Sequence, residues 1–213
     1  MEVRTVEAVV HGRVLYEHRS DERLLAGFHG YGENAERHIL DLQKIPGIES
    51  WSVAAIQALH PFYSRRGGGE DIVASWMTRL DRELAIADNV EYIRRALATI
   101  WRGTTGGATL VFAGFSQGVA MAYRAAAFAA PADGLIVLAG DVPPDVAAAG
   151  AALPPVLVGR GSRDDWYAEE RLARDLDTLR PVTEVTVCTF EGGHEWSDEF
   201  RNAAGEFLSR FGP

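Results

Sequence analysis

Short apolar runs alternate with longer amphipathic ones along the chain. Leu24-Leu-Ala-Gly-Phe28, Ser52 to Ala58, Leu110 to Ala113, Gly134 to Gly140 and Val156 to Gly159 are mostly apolar and bounded by glycine or polar residues, as strands buried on both faces of a parallel sheet are. Glu184 to Phe190 alternates apolar and polar residues and predicts one more strand. Between Asp81 and Trp101 the apolar positions Leu84, Ile86, Ala87, Val90, Ile93, Leu97 and Ile100 keep close to helical spacing. Val119 to Ala130 is rich in good helix formers. A helix is also predicted from Glu33 or Asn34 through Leu42, closed by Pro46-Gly47. Two more run from Glu169 to Leu179, ended by Pro181, and from Asp198 to Phe211. At the amino end, Val6 to Val10 and Arg13 to Tyr16 read as two β-type runs joined by a His11-Gly12 turn, which predicts an antiparallel edge. Phe62 to Ala74 is the least regular stretch, and Gly67-Gly-Gly69 within it suggests a mobile surface loop. Asp141 to Pro144 and Ala147 to Ala152 show little clear structure.

Strands alternating with helices predict an α/β fold of three layers, with right-handed crossovers placing helices on both faces of a mostly parallel sheet. At 213 residues the chain fits one domain, 1–213, long enough to bury roughly 70% of its unfolded surface around a single core. In such sheets ligands bind outside the carboxyl ends of the strands. His29-Gly30, His60, Ser116, Asp141, Asp164 and His194 all follow predicted strands and are therefore expected along one edge.

Composition removes several function classes. The chain is 47% hydrophobic and 24% charged, ordinary values for a globular protein. Its net charge of -9 repels phosphate backbones and anionic membrane surfaces, so no nucleic-acid partner is expected. No stretch approaches the roughly 18 consecutive apolar residues of a membrane span, and no stable membrane insertion is expected. The amino terminus mixes Glu2, Arg4 and Glu7 with apolar residues and shows no secretory signal, so a cytoplasmic location is the default expectation. The single cysteine, Cys188, has no partner for an internal disulfide and reads as a small apolar residue. A homodimer is an open assembly state, which the sequence does not decide.

Gly114-Phe-Ser-Gln-Gly118 lies between a predicted strand and a predicted helix, where flanking glycines permit a strained turn that exposes the Ser116 hydroxyl. A serine hydroxyl needs a base to act as a nucleophile at neutral pH, most often an imidazole held by a carboxylate. Among the six histidines only His194 lies downstream of Ser116, in a Gly192-Gly-His-Glu-Trp loop after the last strand. Asp164, Asp165 and Asp141 are candidate carboxylates to orient it, each in a loop after a strand. Two backbone N–H groups would stabilise the oxyanion, one from Gln117 and one from the glycine-rich loop His29-Gly-Tyr-Gly32, with Tyr31 as its donor. His29 itself is then expected to tie down that loop. His29, His60 and His194 have no zinc-like spacing, so no metal is expected.

Together, His29-Gly-Tyr-Gly-Glu33, Gly114-Phe-Ser-Gln-Gly118, Gly161-Ser-Arg-Asp164 and Gly192-Gly-His-Glu-Trp196 resemble the small α/β-hydrolases of the phospholipase/carboxylesterase family, which includes the acyl-protein thioesterases. The resemblance implies the α/β-hydrolase fold and a cofactor-free Ser-His-Asp triad acting on carboxylic esters, thioesters or lysophospholipids. By position it implies Ser116 as nucleophile, His194 as base, Asp164 as acid, and Tyr31 and Gln117 as oxyanion donors. The partner expected is thus a small-molecule ester. Phe28, Tyr31, Trp76 and Phe115 are expected to give the site an apolar wall suited to short or medium acyl groups, although Trp76 reads first as a packing anchor. Peptide or lactone hydrolysis on the same triad, and a non-catalytic binding protein with this fold, are the competing readings.

Overall fold

A computed structural model describes residues 1–64, 71–101 and 108–212. Seven strands form the main sheet: β1 (Val14–Glu17), β2 (Arg23–Phe28), β3 (Ser52–Ile56), then, after the small β4 (His60–Ser64) and β5 (Asp71–Ser75), β6 (Thr109–Phe115), β7 (Gly134–Leu138), β8 (Val156–Gly161) and β9 (Val185–Phe190). Their spatial order is β1-β3-β2-β6-β7-β8-β9, parallel throughout except for the antiparallel β1–β3 pair. The chain places β3 on one side of β2 and β6 on the other. Connections leaving β2 and β6 therefore diverge, which opens a crevice at their carboxyl ends. The register Phe28↔Gly114 brings the loops after these two strands side by side.

Two hydrophobic layers sandwich the sheet, because successive strand residues face opposite sides. Leu24, Ala26, Phe28 and Phe112 pack against α2 (Arg82–Ile100), α3 (Gln117–Arg124), α4 (Pro144–Ala149) and α5 (Glu169–Leu179) through Ile93, Val119, Val146 and Leu172. Leu25, Val53, Val111 and Leu157 pack on the other side against α1 (Ala35–Leu42) and α6 (Asp198–Ser209), through Leu42, Phe200 and Phe207. Helix starts follow local chemistry: Asn34 Oδ1 accepts from Arg37 N at 2.9 Å to cap α1, and Ser197 Oγ accepts from Phe200 N at 3.1 Å to cap α6.

The fold departs from the sequence expectations in three places. Val6 to Val10 forms no strand, and residues 1–13 are irregular and exposed. The Tyr92 hydroxyl accepts from the Arg13 N–H at 2.9 Å and donates to the Arg13 carbonyl at 2.8 Å, and Gln57 N donates to the same carbonyl at 2.9 Å, so the Arg13 backbone is committed to Tyr92 and to the chain after β3 rather than to a hairpin. The antiparallel edge is β1 on β3 alone. The stretch expected to be irregular forms an antiparallel ribbon of β4 and β5, while Gly67 to Gly69 lies outside the described residues. The stretch after Asp141 contains α4, begun by Pro144 at its first position and ended at Gly150 in a left-handed conformation. The alanine-rich helix after Ser116 is α3 with a wide final turn over Ala125–Ala129. Among the described residues no helix is long and apolar enough to cross a membrane.

Candidate active site

Ser116 occupies the sharp turn between β6 and α3 with φ 53° and ψ −118°, a backbone conformation costing roughly 1–3 kcal/mol for a residue with a side chain. Close packing enforces it. A Cβ on Gly118 would lie 2.0 Å from the Phe28 carbonyl oxygen, and one on Gly114 would lie 2.6 Å from the Gly118 oxygen, so both flanking positions require glycine. The Ser116 N–H donates to the Leu138 carbonyl at 2.9 Å, continuing the β6–β7 ladder. Gln117 is the first residue of α3, where helix amides have no intrahelical acceptor, and its N–H borders the Ser116 hydroxyl along the chain.

His194 arrives from the loop after β9, and Asp164 from the loop after β8. The two loops are zipped together by Ser162 N to the Phe190 carbonyl (2.8 Å) and Arg163 N to the Gly192 carbonyl (2.8 Å). Gly161 permits that approach, since a Cβ there would sit 2.2 Å from the Gly193 oxygen. His194 Nδ1 then lies 2.9 Å from Asp164 Oδ2, and Nε2 lies 2.8 Å from Ser116 Oγ. An ionised carboxylate only accepts, so Nδ1 carries the proton and Nε2 is left to accept from the serine hydroxyl. Asp164 is 2% exposed, and its other oxygen accepts from Trp166 N (2.8 Å) and Tyr167 N (2.9 Å). Three hydrogen bonds thus fix the carboxylate in one orientation. The other two candidate carboxylates stand elsewhere: Asp165 is exposed, and Asp141 pairs with Arg171 at 2.7 Å.

The loop after β2 is pinned from three sides. His29 Nε2 accepts from Ala58 N at 3.1 Å, which leaves Nδ1 to donate to the Gly30 carbonyl at 2.7 Å. Gly30 N donates to Glu33 Oε2 at 2.9 Å, and Trp76 Nε1 donates to the His29 carbonyl at 2.8 Å. Burial lowers the His29 pKa to about 4, so the ring is neutral and acts as a strut between the loops after β2 and β3. Tyr31 follows on this loop, its ring exposed and 5.6 Å from that of Phe62 on β4. Among the described residues no group of three or more His, Cys, Asp or Glu side chains is arranged to hold a metal ion.

The expected apolar wall does not form as anticipated. Phe28 and Trp76 are fully buried and stack edge to face on each other at 5.6 Å, so both belong to the core beneath the site and neither lines the cleft. Phe115, 6% exposed, packs against the His194 ring at 5.1 Å and supports the histidine. A cleft of about 550 Å³ opens over Ser116 and His194 instead between Met77–Arg82, Asp141–Pro144 and Trp166–Arg171. The sequence carried no periodic signal for these segments, although Trp166 stands two positions after Asp164. The Gln117 side chain builds one wall: its Oε1 accepts from Trp76 N at 2.9 Å and its Nε2 donates to the Met77 carbonyl at 3.0 Å.

No family model and no curated protein matches the sequence. Solved structures do match the fold over nearly its whole length. Acyl-protein thioesterase 2 of Zea mays superposes with a TM-score of 0.68 at 17% identity, over 94% of this chain and 99% of that one. Esterase PE8 gives 0.70 at 23% identity, over 94% and 98%. The Bacillus cereus carboxylesterase gives 0.71 at 15% identity, over 94% and 95%. At these identities the likeness establishes the architecture: the chain has the three-layer α/β fold of these esterase and thioesterase structures.

Proposed function

We propose that this protein is a serine hydrolase that cleaves carboxylic esters through an acyl-enzyme, with Ser116 as nucleophile, His194 as general base and acid, and Asp164 as the group that orients the imidazole. The observation that carries this reading is the continuous relay from Asp164 Oδ2 through His194 to Ser116 Oγ, at 2.9 and 2.8 Å, on a strained turn at the switch point of the sheet. Ser116 Oγ attacks the ester carbonyl as its proton passes to His194 Nε2. Asp164 stabilises the resulting imidazolium. The tetrahedral oxyanion accepts hydrogen bonds from the N–H groups of Gln117 and Tyr31, a donor of this kind being worth about 3 kcal/mol. Collapse expels the alcohol or thiol with the proton from His194, and water activated by the same nitrogen releases the acid. The residues require no cofactor for these steps. The structural neighbours named as an esterase, a thioesterase and a carboxylesterase support the same reaction class.

Labelling with a fluorophosphonate probe, followed by assay on a panel of oxygen esters, thioesters and lysophospholipids, tests the reading. Wild type is expected to be labelled stoichiometrically and Ser116→Ala not at all, with the variant's kcat reduced by at least about 10³-fold. An unlabelled wild type overturns the reading, and labelling that survives Ser116→Ala reassigns the nucleophile.

A further inference from the structure

The cleft over Ser116 is lined by four arginines, Arg79, Arg82, Arg124 and Arg171, and a single carboxylate, Asp141, in a protein whose net charge is -9. Two of the arginines are neutralised. Arg124 is fully buried and holds Asp145 through two hydrogen bonds, Nε to Oδ2 at 2.8 Å and Nη2 to Oδ1 at 2.7 Å. Arg171 pairs with Asp141. Arg79 and Arg82 form no ion pair and no side-chain hydrogen bond among the described residues, and both are exposed at the cleft. Arg82 also feels the Asp145 carboxylate, which Arg124 already holds, so the two exposed guanidinium groups leave an excess of positive charge in the same space as the Ser116 hydroxyl. Arg82 is also the first residue of α2, where a cation opposes the helix dipole. The helix has no compensating side-chain cap, because Asp81 sits in a left-handed conformation (φ 46°) and makes no capping bond. Positive charge at Arg82 therefore does nothing to stabilise the helix, and its exposed guanidinium is left at the cleft, where it can bind an anion.

We propose that the substrate of this site is an ester bearing an anionic group, a carboxylate or a phosphate, which docks on Arg79 and Arg82 while its carbonyl lies at Ser116. The proposal deepens the reading of Ser116 as an ester-cleaving nucleophile and rests on it. Guanidinium forks bind either anion through paired, charge-assisted hydrogen bonds. The excess of acidic side chains elsewhere on the molecule makes this cleft the place where an anionic substrate is attracted rather than repelled. Such a substrate is small and polar at the end remote from the scissile bond, which distinguishes it from a long-chain neutral ester.

Two matched pairs of esters test this with the full chain: the p-nitrophenyl monoester of adipic acid against p-nitrophenyl hexanoate, and the acetyl ester of glycerol 3-phosphate against glyceryl monoacetate. The readout is the ratio of kcat/KM within each pair, so a general loss of activity in a variant cancels. Wild type is expected to favour the anionic member of at least one pair by about tenfold or more, and the pair showing it identifies carboxylate or phosphate as the anion recognised. In Arg79→Gln/Arg82→Gln the ratio should fall about tenfold, while Arg79→Lys/Arg82→Lys should keep part of it. Removing a cation from the start of α2 relieves repulsion with the dipole, so Gln at 82 favours folding. Raising salt from about 0.02 to about 0.5 M should shrink the wild-type ratio, the guanidinium groups being exposed. A wild type that prefers neither anionic ester, that cleaves none of the four while still labelled at Ser116, or whose preference survives the double Gln substitution overturns this inference and leaves the nucleophile standing. A wild type that neither cleaves any ester nor takes the fluorophosphonate label overturns the hydrolase reading and this inference with it.

Discussion

Asp164 shows how much of the candidate chemistry rests on the placement of one carboxylate. Its Oδ1 is saturated by two backbone amides and its Oδ2 faces His194 Nδ1, so the carboxylate cannot turn away. Asp164→Asn would preserve the shape of the side chain while favouring the wrong imidazole tautomer, and kcat is expected to fall by roughly 10³- to 10⁴-fold with little change in melting temperature. Ester hydrolysis and thermal unfolding measured on one preparation check both halves. A second residue-scale feature is His38, which is 1% exposed and has neither ring nitrogen hydrogen-bonded. Burial, reinforced by the nearby His29, lowers its pKa to about 3. Because this value lies below the usual 6.5, the unfolded chain takes up a proton that the native protein refuses. Stability is full above about pH 6.5 and falls as pH drops toward 3, by about 1.4 kcal/mol per pH unit for each such proton. His29, lowered to about 4, adds to the same loss. His38→Leu should reduce the slope of stability against pH between pH 4 and 6 by about one proton, as read from urea unfolding at several pH values. An unchanged slope would mean that His38 is protonated in the native state.

At the scale of elements, α5 holds the loop that carries Asp164 in place. Asp175, on α5, accepts from the Tyr167 hydroxyl at 2.7 Å and from Val142 N at 3.2 Å. Tyr167 in turn donates its own N–H to Asp164, and both Tyr167 and Val142 line the cleft. Asp175 is therefore a positioning residue acting through Tyr167. Burial pushes its carboxyl up to about 6, with the nearby Asp141 pushing the same way against the two hydrogen bonds. The raised value gives the opposite sign from the histidines: the folded state is favoured while Asp175 is protonated, and this contribution is lost as pH rises through 6. Asp175→Ala, which leaves the Tyr167 hydroxyl without its acceptor, should destabilise by about 1–3 kcal/mol and lower kcat. Asp175→Asn keeps an acceptor and should restore kcat while abolishing this part of the pH dependence between 4 and 6. Failure of Asn to rescue would show that the charge of Asp175, rather than its hydrogen bonds, matters.

The whole molecule is organised by one sheet with a hydrophobic layer on each face, and the loops that carry Ser116, Asp164 and His194 project from the carboxyl ends of its strands. Phe112 stands at the centre of one layer, fully buried and 5.7 Å from the Phe28 ring. Phe28 underlies the turn at Ser116, its carbonyl oxygen being the atom a Gly118 side chain would strike. Phe112→Ala should cost about 3–5 kcal/mol, a drop in melting temperature on the order of 10 °C for a chain of this length, measurable by calorimetry. Because the cavity lies below the turn at Ser116, the same variant should lose fluorophosphonate labelling rate at temperatures where it is still folded. At this scale too the charges separate: the chain carries a net charge of -9, yet four arginines and one carboxylate, Asp141, line the cleft.

The sequence by itself determined the features that depend on nearest neighbours. Continuous apolar runs marked the central strands, 3.6-residue periodicity marked α2, and glycines marked the turn at Ser116, because such patterns are local; the contact that excludes a larger residue at Gly118, the Phe28 carbonyl of β2, is long-range. His194 was legible because no other histidine lies downstream of Ser116. Loop chemistry alone left Asp164, Asp165 and Asp141 open and the motif resemblance implied Asp164; the tertiary structure shows that it is Asp164 that meets the ring brought from the loop after β9. It also moved Phe28 and Trp76 from the expected substrate wall into the core, where an aromatic beside a cleft and one beneath it have the same sequence signature. Val6 to Val10 had strand composition but pairs with no strand, and a strand is made by its ladder, which is long-range. Arg79 and Arg82 lie close together in the chain but far from Ser116 and from Arg171, so their convergence on one cleft was invisible until folding closed the distances between them.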